Sequence, residues 1–164
     1  MPPRSYTGMA HHHEEKSDPG RRNFVCPMTK EVTRIGTGSV VFTVIVPGLI
    51  EQRHLPDASL DERTMERCRA TRRKLAKGVP FALLIIVPEE VPVDAAATNH
   101  DHYRKESDER SIVALAVVTS SEAMSAVTKF YFRYYQCSFE VKVFDDEDNA
   151  KAWLLASLER LAQG

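Results

Sequence analysis

Histidines, cysteines and clustered carboxylates are the side chains from which this chain could assemble a metal centre, and their spacing argues against one. His11, His12 and His13 run into Glu14 and Glu15. Such a tract can take up a divalent ion adventitiously, but nothing around it offers the outer shell that a resident metal needs. His100 and His102 stand two apart; on a helix that spacing turns them about 200° from each other, and only an extended backbone would put both on one face. Cys26, Cys68 and Cys137 are odd in number and lack chelate spacing, so they read as reduced, mostly buried thiols. Asp145, Asp146, Glu147 and Asp148 have neither the alternating oxygen ligands nor the turn glycine of a calcium loop, and suit the positive end of a helix dipole instead. His54 has no partner at a telling spacing and reads as a loop histidine.

Other catalytic patterns are missing from the sequence too. It has no glycine-rich phosphate loop, no histidine pair at helical metal spacing and no serine in a nucleophile elbow. The sequence therefore predicts a chain that is not an enzyme and needs neither cofactor nor metal. Charge narrows the partners further. The formal net charge of -1 gives no bulk attraction to nucleic acid or to an anionic membrane. No apolar stretch reaches the ~20 residues of a membrane span, and the N-terminus lacks the apolar core of a signal peptide, so a cytoplasmic protein is expected.

Elements that could position a site follow from periodicity. The 164 residues, 43% of them hydrophobic, suffice for one sizeable core. Residues 1–23 carry prolines, glycines and charges with almost no large aliphatics, and are expected to form a disordered N-terminal tail ahead of a domain at 24–164. Val32 to Ile35, a turn at Gly36-Thr37-Gly38, and Val40 to Val46 read as a strand pair. Pro47-Gly48 ends the second strand, and Leu49 to Pro56 reads as a loop tacked on by Leu49, Ile50 and Leu55. Ser59 and Glu62 have the spacing of a capping box, opening a helix that stops at Gly78. Its stripe is Leu60, Thr64, Cys68, Thr71 and Leu75, while Arg63, Arg67, Arg69, Arg72, Arg73, Lys74 and Lys77 form a solvated outer face or, alternatively, a basic face for an acidic partner.

Phe81 to Val87 (FALLIIV) and Ser111 to Thr119 (SIVALAVVT) are continuous apolar runs, as strands covered on both faces would be. Between them Asp94 caps a polar helix running towards Glu106. Ser120 or Ser121 caps the next helix, whose aromatics crowd more than one face, and Phe139 to Phe144 alternates as a half-buried strand nearer an edge. The acidic quartet then starts a helix burying Ala150, Trp153, Leu154, Ser157, Leu158 and Leu161. Two strands joined by a helix of that length make a crossover in a parallel sheet.

ALAVVTSSEAMSAVTKFYFRYY followed by VKVFDDEDNAKAWL resembles the C-terminal half of the small bacterial SpoIIAA-like, or STAS-like, proteins of uncharacterised function. The likeness covers Ser111 to Leu158 in residues and Val32 to Val87 in pattern. It implies a single-domain α/β fold, a mixed sheet of about five strands with about four helices mainly on one side, and a non-catalytic regulatory or protein-interaction role. Anti-sigma-factor antagonists of this fold carry a phosphorylatable serine after the third strand. Here that region runs from Val87 to Asp94 with no hydroxyl until Thr98, so no phosphorylation switch is implied.

The expected partner or ligand surface comprises Glu89, Glu90, Ser120 and Ser121 in the loops at the strand ends, with Tyr131 and Tyr135 on the aromatic helix. Lys129 and Arg133 mark that helix's wet face, which predicts Phe130 and Tyr134 inward and Tyr131 and Tyr135 bordering a protein partner or a homodimer contact. The alternative is a small-molecule or lipid-binding module with a pocket near the helix at 121–135.

Overall fold

The structure, a computed structural model, describes residues 32–35 and 39–164. The predicted tail with His11 to His13, Cys26, and the Gly36-Thr37-Gly38 turn lie outside the described residues. Among the described residues six strands form one sheet in sequence order: β1 (Val32–Ile35), β2 (Val40–Val46), β3 (Leu49–His54), β4 (Phe81–Ile86), β5 (Ile112–Val118) and β6 (Glu140–Phe144). The β1–β2 and β2–β3 pairs are antiparallel and the pairs from β3 through β6 are parallel, so the sheet is mixed.

The expected loop from Leu49 to Pro56 is instead β3, the strand that joins the antiparallel to the parallel half. Gly48, at φ 87°, turns the chain between β2 and β3 in the left-handed region open to glycine. The polar residues Glu51, Gln52, Arg53 and His54 hide the strand from a hydropathy reading, because tertiary pairing on both sides overrides it.

Five helices among the described residues cover the sheet: α1 (Glu62–Ala76), α2 (Ala95–Thr98), α3 (Arg104–Asp108), α4 (Glu122–Tyr134) and α5 (Glu147–Gln163). The cap of α1 is Asp61 rather than Ser59; its carboxylate accepts from the Thr64 N–H at 2.7 Å. Lys77 and Gly78, both at positive φ, end that helix. Asp94 does cap as expected, but the helix it opens is a single turn, and the chain resumes helically only at Arg104. Ser121 caps α4 and Asp146 caps α5, each by accepting backbone N–H groups of the first turn. No helix among the described residues is long and apolar enough to cross a membrane.

One sheet face packs Leu49, Ala82, Leu84, Ala114 and Ala116 against Ala150 and Leu154 of α5. The opposite face packs Phe42, Ile50, Leu83, Ile85, Leu115 and Val117 beneath α1 and α4, with Tyr103 beside them. Along β4 every residue is buried, alternating between the two. An irregularity in the β4–β5 pairing shifts the register by one residue between Phe81/Ile112 and Leu83/Leu115, which sets the alanines of β5 towards α5. Each large aliphatic so buried contributes about 1.5–3 kcal/mol.

Candidate functional site

On the face beneath α1 and α4 the apolar packing is interrupted by charge. Arg72 of α1, fully buried, donates from Nε to Glu106 Oε2 at 3.0 Å and from Nη2 to Glu106 Oε1, a two-pronged pair with a carboxylate only 5% exposed. Its third arm, Nη1, donates to Gln52 Oε1 at 2.9 Å, and the guanidinium lies 5.1 Å from the centre of the Tyr103 ring. The sequence pattern places Arg72 on the solvated outer face of α1, and the structure corrects this. It lies four residues after Cys68, on the buried stripe itself, and Glu106 supplies the partner that makes burial tolerable. Burial alone would lower the Arg72 pKa, but the hydrogen bonds and charge of Glu106 outweigh it and hold the guanidinium above its ordinary value.

Gln52 and His54 extend this cluster along β3. Their Nε2 atoms are 2.9 Å apart, and His54 is buried rather than a loop residue. Burial, reinforced by the Arg72 charge, lowers the His54 pKa to about 4, so the ring is neutral at physiological pH. Its Nδ1 is buried and has no hydrogen-bond partner among the described residues. Cys68, close to the same pair, is pushed up to about 11 by burial and stays a thiol.

His54 and Gln52 form part of the wall of a cavity of about 100 Å³ between the sheet, α2 and α4. Ile85, Val87 and Val117 rise from the strands, and Met124, Tyr131 and Phe132 close it from α4. Val93 and Val127, which also line it, are 38% and 42% exposed and mark its mouth. Tyr131 fastens α4 to the α2–α3 connection by accepting from the His102 N–H at 2.9 Å and donating to the His100 carbonyl at 2.6 Å.

Of the residues expected from sequence, only Tyr131 reaches this cavity. Tyr135 packs its ring 4.9 Å from Tyr131, just outside. Glu89 and Glu90 follow β4, and Ser120 and Ser121 follow β5, at one end of the sheet; none of the four lines the cavity, and Ser121 is spent on capping α4. The expectation that Phe130 and Tyr134 point inward is reversed: they are 68% and 72% exposed. The inner stripe of α4 is Met124, Thr128, Tyr131 and Phe132, because His102 and Tyr103 offer the tyrosine a backbone and an aromatic partner. His100 lies 3.6 Å from Glu62, and no cluster of three metal-ligating side chains occurs among the described residues.

The sheet and its helices define an α/β domain of SpoIIAA-like fold. The chain aligns, at a TM-score of 0.50 and 16% identity, with the crystal structure of an uncharacterised protein of the DUF3478 family with a SpoIIAA-like fold from Shewanella loihica PV-4. That alignment covers 76% of this chain and 91% of the other, and at this identity the likeness concerns the fold alone. The chain itself belongs to the family described as a domain of unknown function, DUF7793, whose model matches residues 44–157. No curated protein matches the sequence significantly.

Proposed function

We propose that this domain is a non-catalytic binding module that takes a small, largely apolar molecule into the cavity beneath α4. The observation that carries this reading is the cavity itself, lined mainly by apolar side chains, with the half-exposed Val93 and Val127 at its mouth. A non-catalytic role is supported by the engagement of the His54 ring. Its Nε2, the lone pair a general base would use, is already held by Gln52, and the neighbouring thiol of Cys68 is kept protonated by burial. Titration with small apolar probes, followed through the methyl resonances of Met65 and Met124, tests it. Both methyls line the cavity and should shift while Met residues elsewhere stay still; probes that move neither methyl would remove this function.

A second reading, a regulatory module acting by protein contact or self-association, has one observation in its favour. Val127, Phe130 and Tyr134 form an exposed apolar strip on α4, a site that a second copy could cover symmetrically. Sedimentation of the chain beside Phe130→Ser distinguishes them: loss of a dimer in the variant alone supports this reading, and a monomer in both excludes self-association through the strip.

A further inference from the structure

β6 ends one side of the sheet, and among the described residues it pairs only with β5. The Thr119 N–H donates to the Phe144 carbonyl at 3.0 Å, which turns the backbone of Phe144 towards β5. Hydrogen-bonding direction alternates along a strand in a parallel pair, so Glu140 and Lys142 also turn their backbone groups to β5, while Val141 and Val143 turn theirs to the open edge. Such an edge is a template for another strand, and proteins usually blunt it with a bulge, a proline, a charge or a covering element. β6 has neither bulge nor proline. α5 is seated on the alanines of β4 and β5, and a groove of about 600 Å³ holds α4 back from the strand.

Lys142 is the kind of residue that blocks edge pairing, but Glu140 beside it reverses its effect. Phe139, Val141 and Val143 line the groove on the α4 face. Lys142 stands on the α5 face, its Nζ 5.2 Å from the centre of the Trp153 ring, and Glu140, two residues away, shares that face. Both are exposed, and neither forms an ion pair among the described residues.

An edge that carries one charge of each sign two residues apart is complementary to itself in one antiparallel register. With Val141 opposite its own copy, Lys142 faces the partner's Glu140, Glu140 faces the partner's Lys142, and Val143 meets the partner's Phe139 on the other face. Sliding the strands by two residues in either direction sets Lys142 against Lys142 or Glu140 against Glu140. A slide of one residue brings outward backbone groups against inward ones and pairs nothing. The favoured register also carries the partner's Asp145 to a place opposite Cys137, at the end of the groove, whose rim bears Lys129 and Arg133 and no carboxylate. A two-fold axis closes the arrangement, as in most homo-oligomers.

We propose that β6 is a docking edge for a second copy of this chain, two β6 strands pairing antiparallel about Val141 so that two six-stranded sheets become one. A contact one strand wide belongs to the small and weak class of interfaces, so the dimer forms at about 0.1 mM rather than at nanomolar concentration.

Sedimentation of the full chain over a concentration series, with amide exchange measured at each end of it, tests this. The parent should dimerise, and the amides of Val141 and Val143 should become protected as it does, while that of Lys142, bonded to β5, is protected throughout. Lys142→Glu and Glu140→Lys each place like charges opposite one another twice, and should each weaken the dimer at least about tenfold. An equimolar mixture of the two variants restores both charge pairs across the interface and should associate as tightly as the parent. A mixture that stays monomeric overturns the register and the proposal with it. A parent that is monomeric up to about 1 mM overturns it too, and leaves the edge to a segment of another protein. A dimer that Phe130→Ser abolishes and Lys142→Glu spares assigns the contact to the strip on α4 and overturns it as well. Should either charge variant not fold, the exchange pattern of Val141, Lys142 and Val143 in the parent decides.

Discussion

Against α5 the sheet presents Ala82, Ala114 and Ala116, and the fully buried Ala150 and Leu154 settle onto them without a buried charge. Against α1 and α4 it presents Gln52 and His54 among larger apolar residues, and the helices above bring in Arg72 and Glu106. Small residues let one long helix lie close to the strands, which leaves nothing to bind. On the other face two of the four helices are only four and five residues long, and the gaps between them are filled by a polar cluster and a cavity. Dense packing and buried polarity are thus divided between the faces of a single sheet. The alanine face packs tightly, and the mixed face surrenders some packing for a polar cluster and a cavity.

The sharpest test of that division falls on the dry face. Leu84→Asp places an unpaired carboxylate at a fully buried position of β4, and the loss should exceed about 5 kcal/mol, enough to abolish cooperative folding. A soluble variant with a cooperative melt would show that the alanine face does not hold the sheet together. On the mixed face, Glu106→Ala leaves Arg72 buried without its carboxylate and should lose about 3–5 kcal/mol in urea denaturation. Replacing both partners, as Arg72→Met with Glu106→Leu, should recover most of that loss, since the penalty belongs to the unmatched charge. If the double replacement is as unstable as the single one, the cluster is a packing element rather than an ion pair.

Acid should act on the mixed face first. His54 titrates at about 4 when folded against 6.5 ordinarily, so the unfolded chain binds the extra proton between those values. Stability is complete above pH 6.5 and falls as pH drops towards 4, by on the order of 3 kcal/mol. His54→Leu should flatten that segment of the stability profile, and an unchanged slope would mean the ring is not buried neutral. Glu147, hydrogen-bonded by Arg53, and Asp61, capping α1, are held below their ordinary values and contribute only at lower pH. The smallest effect concerns α4. Phe130→Ala and Tyr134→Ala should each change stability by less than about 0.5 kcal/mol, whereas Phe132→Ala, whose ring sits 5.3 Å from Tyr103 and 5.1 Å from Tyr131, should lose about 2 kcal/mol. Thermal melts of the three variants rank them directly.

What the sequence discloses follows the same division. The apolar runs of β4 and β5, the alternation of β6 and the caps at Ser121 and Asp146 all obey local rules, and those elements stand where periodicity puts them. The mixed face obeys none. Gln52 and His54 share the parity of Ile50, which on a strand turns all three the same way, but polar residues beside Pro47 and Pro56 look like a loop until their neighbours in the sheet are known. Arg72 repeats Cys68 at helical spacing, yet five other cations on α1 mask it. On α4 both faces carry aromatics, so hydropathy could not choose between Phe130 and Tyr131. Partners from the α2–α3 connection, distant in sequence, made that choice.

A hydrogen-bond chain that runs outward from one guanidinium also restricts how this family can change over generations. Glu106, Arg72, Gln52 and His54 hold one another in sequence. A lineage that discards Glu106 must soon discard the guanidinium as well. Once that is gone nothing dictates the orientation of the amide, and the imidazole has no reason to persist. Positions 52, 54, 72 and 106, scattered over a strand and two helices, should therefore be inherited as a block, intact in some branches and replaced together by apolar residues in others.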